Sequence, residues 1–204
     1  MKRVFNIGIT GGIGSGKTRV CQYLEAKGIR IFNADLEARR ILETNREVQA
    51  SIIQQFGQDS YFTEGEPNRA YIAAQVFQQA SALQALNAIV HPATLQAYED
   101  WKLACPESYP FSYQCKEAAI LYESGTDVGL DAIVCIYAPK MIRIQRIRQR
   151  DSLSVSDISL RMSKQWSDAV KISRSDYSIY NDGIHDLPMQ LEALMRTLSL
   201  RFGN

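Results

Sequence analysis

At 204 residues, with 46% apolar content, the chain can hold one α/β domain of good size or a core with small inserted subdomains. A formal net charge of +1 excludes the strongly basic balance of a general nucleic-acid binder, and no stretch approaches the roughly twenty apolar residues of a membrane span. The four cysteines, Cys21, Cys105, Cys115 and Cys135, show no C-x-x-C or Cys/His spacing and read as reduced thiols. The run after Lys2-Arg3 leads into a glycine loop instead of a leader-peptide cleavage site, so a cytoplasmic protein is expected.

Val4 to Ile9 predicts a buried strand. It runs into Gly11-Gly12-Ile13-Gly14-Ser15-Gly16-Lys17-Thr18, which fits the phosphate-binding pattern G-x-x-x-x-G-K-[ST] without a mismatch. Glycines let backbone N–H groups curl around an anion, Lys17 brings a point charge to the outer phosphates, and Thr18 offers its hydroxyl to a magnesium ion. Arg19 to Lys27 carries Val20, Tyr23 and Leu24 on one face and predicts the helix that must follow, whose N-terminal partial charge adds to the anion site. A second strand is predicted over Ile29 to Asn33. Asp35, just beyond it, reads either as a cap for the helix starting at Leu36 or as a carboxylate standing beside the loop, where open α/β sheets place their sites.

From Leu36 to about Cys105 the pattern is nearly all helix, with breaks predicted at Gly57, Gly65-Glu66-Pro67 and His91-Pro92. One crossover needs only one helix, so residues 36–109 read as an inserted helical subdomain in which an acceptor could sit. His91, ahead of Pro92, reads as a polar side chain satisfying a chain break or as a ligand contact. Further strands are predicted over Tyr113–Leu121, Ala132–Tyr137 and Tyr177–Tyr180. The alternation of strands and helices predicts a five-stranded parallel sheet with helices on both faces, formed by residues 1–35, 110–138 and 175–204.

Between the last two strands, Lys140 to Arg174 holds nine of the 23 basic residues. Pro139 stands at a plausible first helical position, and Ser154-Val155-Ser156-Asp157 resembles a capping box for a second helix running to Trp166. Residues 139–174 therefore read as a helical lid. Its Arg143, Arg146 and Arg150 form a solvated face or close over transferring phosphates. Asn181-Asp182-Gly183 predicts a turn after the last strand.

Taken in order, these residues resemble the dephospho-CoA kinase family. The likeness rests on Thr10 to Thr18, Ala34-Asp35 with Arg39, Phe56-Gly57, His91-Pro92 and Leu121-Tyr122-Glu123-Ser124-Gly125. It continues through Arg146, Arg150-Asp151, Arg161, Gln165, Lys171, Asp176 and Asn181-Asp182-Gly183. The resemblance implies a P-loop NTPase-type fold and ATP-dependent phosphorylation of the ribose 3′-hydroxyl of dephospho-CoA, giving coenzyme A and ADP. It implies Asp35, Lys17, Arg146 and Arg150 as catalytic, and ATP contacts from Gly12, Gly14, Ser15, Gly16, Lys17, Thr18, Arg19, Arg150 and Asn181. Acceptor contacts would come from Asp35, Arg39, His91, Leu121 and Glu123, and Thr18 would be a ligand of Mg²⁺. Two departures stand out. Asn33 replaces the first carboxylate of the family's Asp-Ala-Asp, leaving only Asp35 to serve, and Ala119 replaces a proline.

Another small-metabolite kinase, such as a nucleoside monophosphate kinase, would share the loop with a different acceptor. A regulatory GTP-binding switch expects Asn-Lys-x-Asp and Asp-x-x-Gly, and neither occurs here. The expected partners are therefore ATP and dephospho-CoA, with no nucleic acid, membrane or obligate protein partner.

Overall fold

The computed structural model describes residues 3–151 and 153–203. Its contacts divide the chain into a sheet unit, Met1–Asn33 with Pro106–Asn204, and a helical unit, Ala34–Cys105.

The sheet unit is built on β1 (Phe5–Thr10), β2 (Ile31–Asn33), β3 (Tyr113–Glu117), β4 (Ala132–Tyr137) and β5 (Tyr177–Tyr180), in the order β2-β3-β1-β4-β5. All four pairings are parallel. A parallel sheet must be covered on both faces, which is why β1 and β4 are near-continuous apolar runs. On one face Ile7, Ile9, Val134 and Ile136 pack against Val20 and Leu24 of α1 (Lys17–Ala26) and Leu191, Leu194 and Leu198 of α9 (Leu187–Phe202). Between β4 and β5 the chain forms α6 (Lys140–Asp151), α7 (Val155–Ser163) and α8 (Asp168–Arg174), of which α8 packs against β4. Cys21, Cys115 and Cys135 lie in the core, where burial pushes their thiols up, Cys115 to about 12 and Cys135 to about 11.

Strand order changes direction at β1, which pairs with β3 on one side and β4 on the other. In open α/β sheets that switch point, at the carboxyl ends of the strands, is where ligands bind. The register aligns those ends, since Glu117 pairs with both Ile9 and Asn33. It also explains why β3 stops at Glu117 and does not reach Leu121: β2 ends level with Glu117 and β1 one residue beyond, so the ladder runs out after the Ala118 N–H bonds the Ile9 carbonyl.

The helical unit contains α2 (Ala34–Thr44), α3 (Arg46–Phe56), a short 3₁₀ turn (Gln58–Ser60), α4 (Arg69–Gln78) and α5 (Ala80–Leu103). Ile41, Val48, Ile52, Tyr61, Ile72 and Val90 form its separate core. The stops at Gly57 and Gly65-Glu66-Pro67 are present. Gly57 takes φ 94° after α3, and Asn68 caps α4 by accepting from the Tyr71 N–H at 3.1 Å. The break expected at His91-Pro92 is absent. Both residues lie inside α5, whose Val90, Ala93 and Ala97 pack into the core and hold the helix through the proline.

The helix expected to reach Trp166 ends at Ser163, and Pro139 precedes the first turn of α6, its carbonyl accepting from the Arg143 N–H at 3.1 Å. Ser154 caps α7 as expected, its hydroxyl accepting from the Asp157 N–H at 3.1 Å.

Candidate active site

The loop of Gly11 to Gly16 joins β1 at the switch point to α1. Gly16 caps α1 in the left-handed conformation, φ 96° and ψ 24°, and as a glycine it brings no side chain to the start of the helix. Glycine adopts that conformation without steric cost, and a helix start of this kind turns its backbone N–H groups toward an anion. Lys17 opens α1, and its Nζ donates to the Gly11 carbonyl at 3.1 Å and lies 3.8 Å from a Glu117 carboxylate oxygen. Thr18 and Arg19 are exposed in the same turn. Among the described residues, the Thr10 and Ser15 hydroxyls are buried without a partner at the two ends of the loop.

Side chains from α6, from the segment between α7 and α8, and from the residue after β5 grip this loop. Asn181 Nδ2 donates to the Ser15 carbonyl at 2.8 Å. Arg146 donates to the Ser15 carbonyl at 3.4 Å and to the Asn181 carbonyl at 2.9 Å. Burial, and then the nearby Arg19 cation, hold the Arg146 guanidinium below its usual range. Two like charges kept close together beside a phosphate loop favour an anion between them. Gln165 Oε1 accepts from the Ile13 N–H at 2.8 Å.

Arg150 stands apart. It is exposed and bonded to Asp151 by two contacts, 2.6 and 2.8 Å. Arg143 is not on a solvated face: it is 6% exposed and donates to Asp168 at 2.9 Å.

Two candidate acceptor contacts, Leu121 and Glu123, lie in the turns after β3. Leu121 is fully buried, close enough to Gly8 that a side chain there would touch it, and it offers a ligand no surface. Glu123 Oε1 accepts from Lys171 Nζ at 2.8 Å and from the Trp166 N–H at 2.8 Å. Lys171 also donates to the Ala119 carbonyl at 2.7 Å. This buried latch ties the turn after β3 to the loop before α8. Asp182 sits in the expected turn, where the backbone N–H groups of His185 and Ile184 pull its carboxyl down to about 2.

The remaining candidates belong to the helical unit. Asp35 is exposed in the first turn of α2, inside the helix and not at its cap. Arg39 is exposed one turn on. His91 is half-buried in α5, and burial lowers its pKa. Glu117 and Asp168 escape the sequence reading. A charged residue inside a predicted buried strand is the signal that finds Glu117. Asp168 gives no such signal, because its partner Arg143 lies 25 residues away.

The sequence pattern of the family described as dephospho-CoA kinase matches residues 5–186. A dephospho-CoA kinase of Salinibacter ruber is 41% identical over 182 residues, covering 89% of this chain and 91% of that protein. One of Chlorobaculum tepidum is 36% identical, with 94% of each chain covered. Among solved structures, TT1252 from Thermus thermophilus superposes with a TM-score of 0.83 at 26% identity, covering 100% of both chains. The match runs from β1 through the loop, the helical unit and the grip of α6 to α8 to the turn after β5, so the chain belongs to the dephospho-CoA kinase family.

Proposed function

We propose that the chain transfers the γ-phosphoryl group of ATP to the ribose 3′-hydroxyl of dephospho-CoA, releasing ADP and coenzyme A. The observation that carries this reading is the phosphate loop at the sheet's switch point in a chain matching the family over residues 5–186. In an in-line transfer the bond from the 3′ oxygen to the γ-phosphorus forms as the bridge to the β-phosphate breaks, and the hydroxyl proton must go to a base. Asp35 takes that proton. Lys17 and the N–H groups of Gly12, Gly14, Ser15, Gly16 and Thr18 hold the phosphates, with Arg19 and Asn181 completing the ATP contacts. Arg146 supplies a cation already fixed against the loop, whereas Arg150 would exchange Asp151 for a phosphate oxygen. Arg39 and His91 contact the acceptor, for which residues 36–109 provide the binding subdomain and 139–174 the lid.

The donor set fits Mg²⁺, a hard cation that takes few protein oxygens alongside phosphate. The Thr18 hydroxyl and the Glu117 carboxylate would hold it, and it would neutralise charge on the phosphates. No helix among the described residues is long and apolar enough to cross a membrane. Together with the reduced-thiol reading of the cysteines, that favours a cytoplasmic enzyme.

A coupled ADP-release assay tests the reading with dephospho-CoA against nucleoside monophosphates and shikimate. Turnover is expected with dephospho-CoA, and its absence would sink the assignment. Asp35→Asn should lower kcat by roughly 10²–10⁴-fold, the usual worth of a positioned base; full activity would remove Asp35 from that role.

A further inference from the structure

The general phosphate-loop pattern leaves position 12 unrestricted, yet this chain places glycine there. Its backbone dihedrals lie outside the left-handed region, so conformation does not require glycine. Space does. A Cβ on Gly12 would fall on Nη1 of Arg143, 2.8 Å from its Cζ and 3.0 Å from Asp168 Oδ1. Arg143 rises from α6, is 6% exposed, and donates through Nη1 to Asp168 at the start of α8. The guanidinium and its carboxylate thus occupy the volume that any side chain at position 12 would need. On the next residue, the Ile13 N–H is fixed by Gln165 from the segment between α7 and α8.

We propose that Arg143, locked by Asp168, is a positioning residue: it is the surface on which Gly12 is set, and it aims the loop's N–H groups at the donor phosphates. Its charge is matched by Asp168 at 2.9 Å, so its contribution is the placement of the loop and not a further cation for the nucleotide. The inference rests on the reading of Gly11 to Thr18 as the ATP site. Loop contacts to phosphate are shared by the ground and transition states. Misplacing them therefore raises the ATP KM more than it lowers kcat. A role in folding alone would lower the melting temperature and the active fraction while leaving KM unchanged.

The test is a double-mutant cycle on the full chain with wild type, Gly12→Ala, Arg143→Ala and the pair, read by calorimetric titration with Mg²⁺-ATP in the absence of acceptor and by thermal melts. Gly12→Ala should weaken ATP binding on the order of ten-fold in the wild-type background and about two-fold or less once Arg143 is gone, a coupling in the range of residues in contact. Arg143→Ala by itself should raise the ATP KM several-fold with kcat nearly kept, and Arg143→Lys, which keeps the charge without the planar fork, should not restore it. Equal losses from Gly12→Ala in both backgrounds, or wild-type ATP binding by Arg143→Ala, would overturn the proposal. Should Gly12→Ala not fold, recovery of a cooperative melt in the double variant supports the clash, and failure of the double variant while Arg143→Ala folds overturns it. A wild-type chain that binds no ATP would instead refute the reading beneath it. ATP binding without turnover of dephospho-CoA would refute only the acceptor.

Discussion

Lys171 is fully buried, and Glu123 and the Ala119 carbonyl both accept from its Nζ. Removing one member of such a pair leaves the other charged and desolvated. Lys171→Met should therefore cost about 3–5 kcal/mol, measured by urea unfolding, and adding Glu123→Gln should return part of it. His91 provides a pH signature. Burial lowers its folded-state pKa below the usual 6.5, so the unfolded chain takes up the proton first as pH falls. Stability should drop as pH falls through that value, and His91→Gln should flatten this part of the profile between about pH 7.5 and 5.5. Lys17 and Thr18 were legible as residues because loop spacing alone names their chemistry. The buried latch and the Arg143–Asp168 pair were not, since each joins residues distant in sequence and only burial shows that they are paired.

Among the elements, α5 departs most from the sequence reading. Pro92 has no N–H to offer the carbonyl of Ala88, and a proline normally ends a helix. Here the loss is tolerable because Ala88 and Pro92 border an open groove of about 780 Å³ where water can reach the freed carbonyl, while Val90 packs inward. Pro92→Ala should restore the bond and raise stability by about 1–3 kcal/mol, seen as a higher melting temperature. An unchanged or lower one would mean that the groove-side backbone is satisfied in some other way. Local pattern located the proline but could not weigh it against a core built from α2, α3 and α4. β3 teaches the same lesson from the other side. An apolar stretch from Ala118 to Leu121 follows it, but a strand lasts only as long as its neighbours pair with it, and Ala118 donates the last bond, to the Ile9 carbonyl at 3.1 Å.

At the scale of the molecule, several helices stand between the second and third strands where a crossover requires only one, and residues Ala34–Cys105 form a compact unit of their own. The existence of a second core around Ile52 and Val90 was not legible, since periodicity shows that a face is apolar but not what it packs against. Two separate cores imply that the units can open with different free energies. Every residue assigned to ATP lies in the sheet unit, so nucleotide should stabilise that unit directly. At a concentration one hundred times Kd, linkage predicts about 2.7 kcal/mol against any opening that destroys the site. Native-state hydrogen exchange with Mg²⁺-ATP should therefore slow the amides of β1, β4 and α6 by up to roughly a hundred-fold, while those of α3 and α4 keep their rates. Equal slowing in both units would show that they unfold as one cooperative body. The linkage would then measure the stability of the whole chain, and stability changes at Lys171 and Pro92 would be felt in both cores alike.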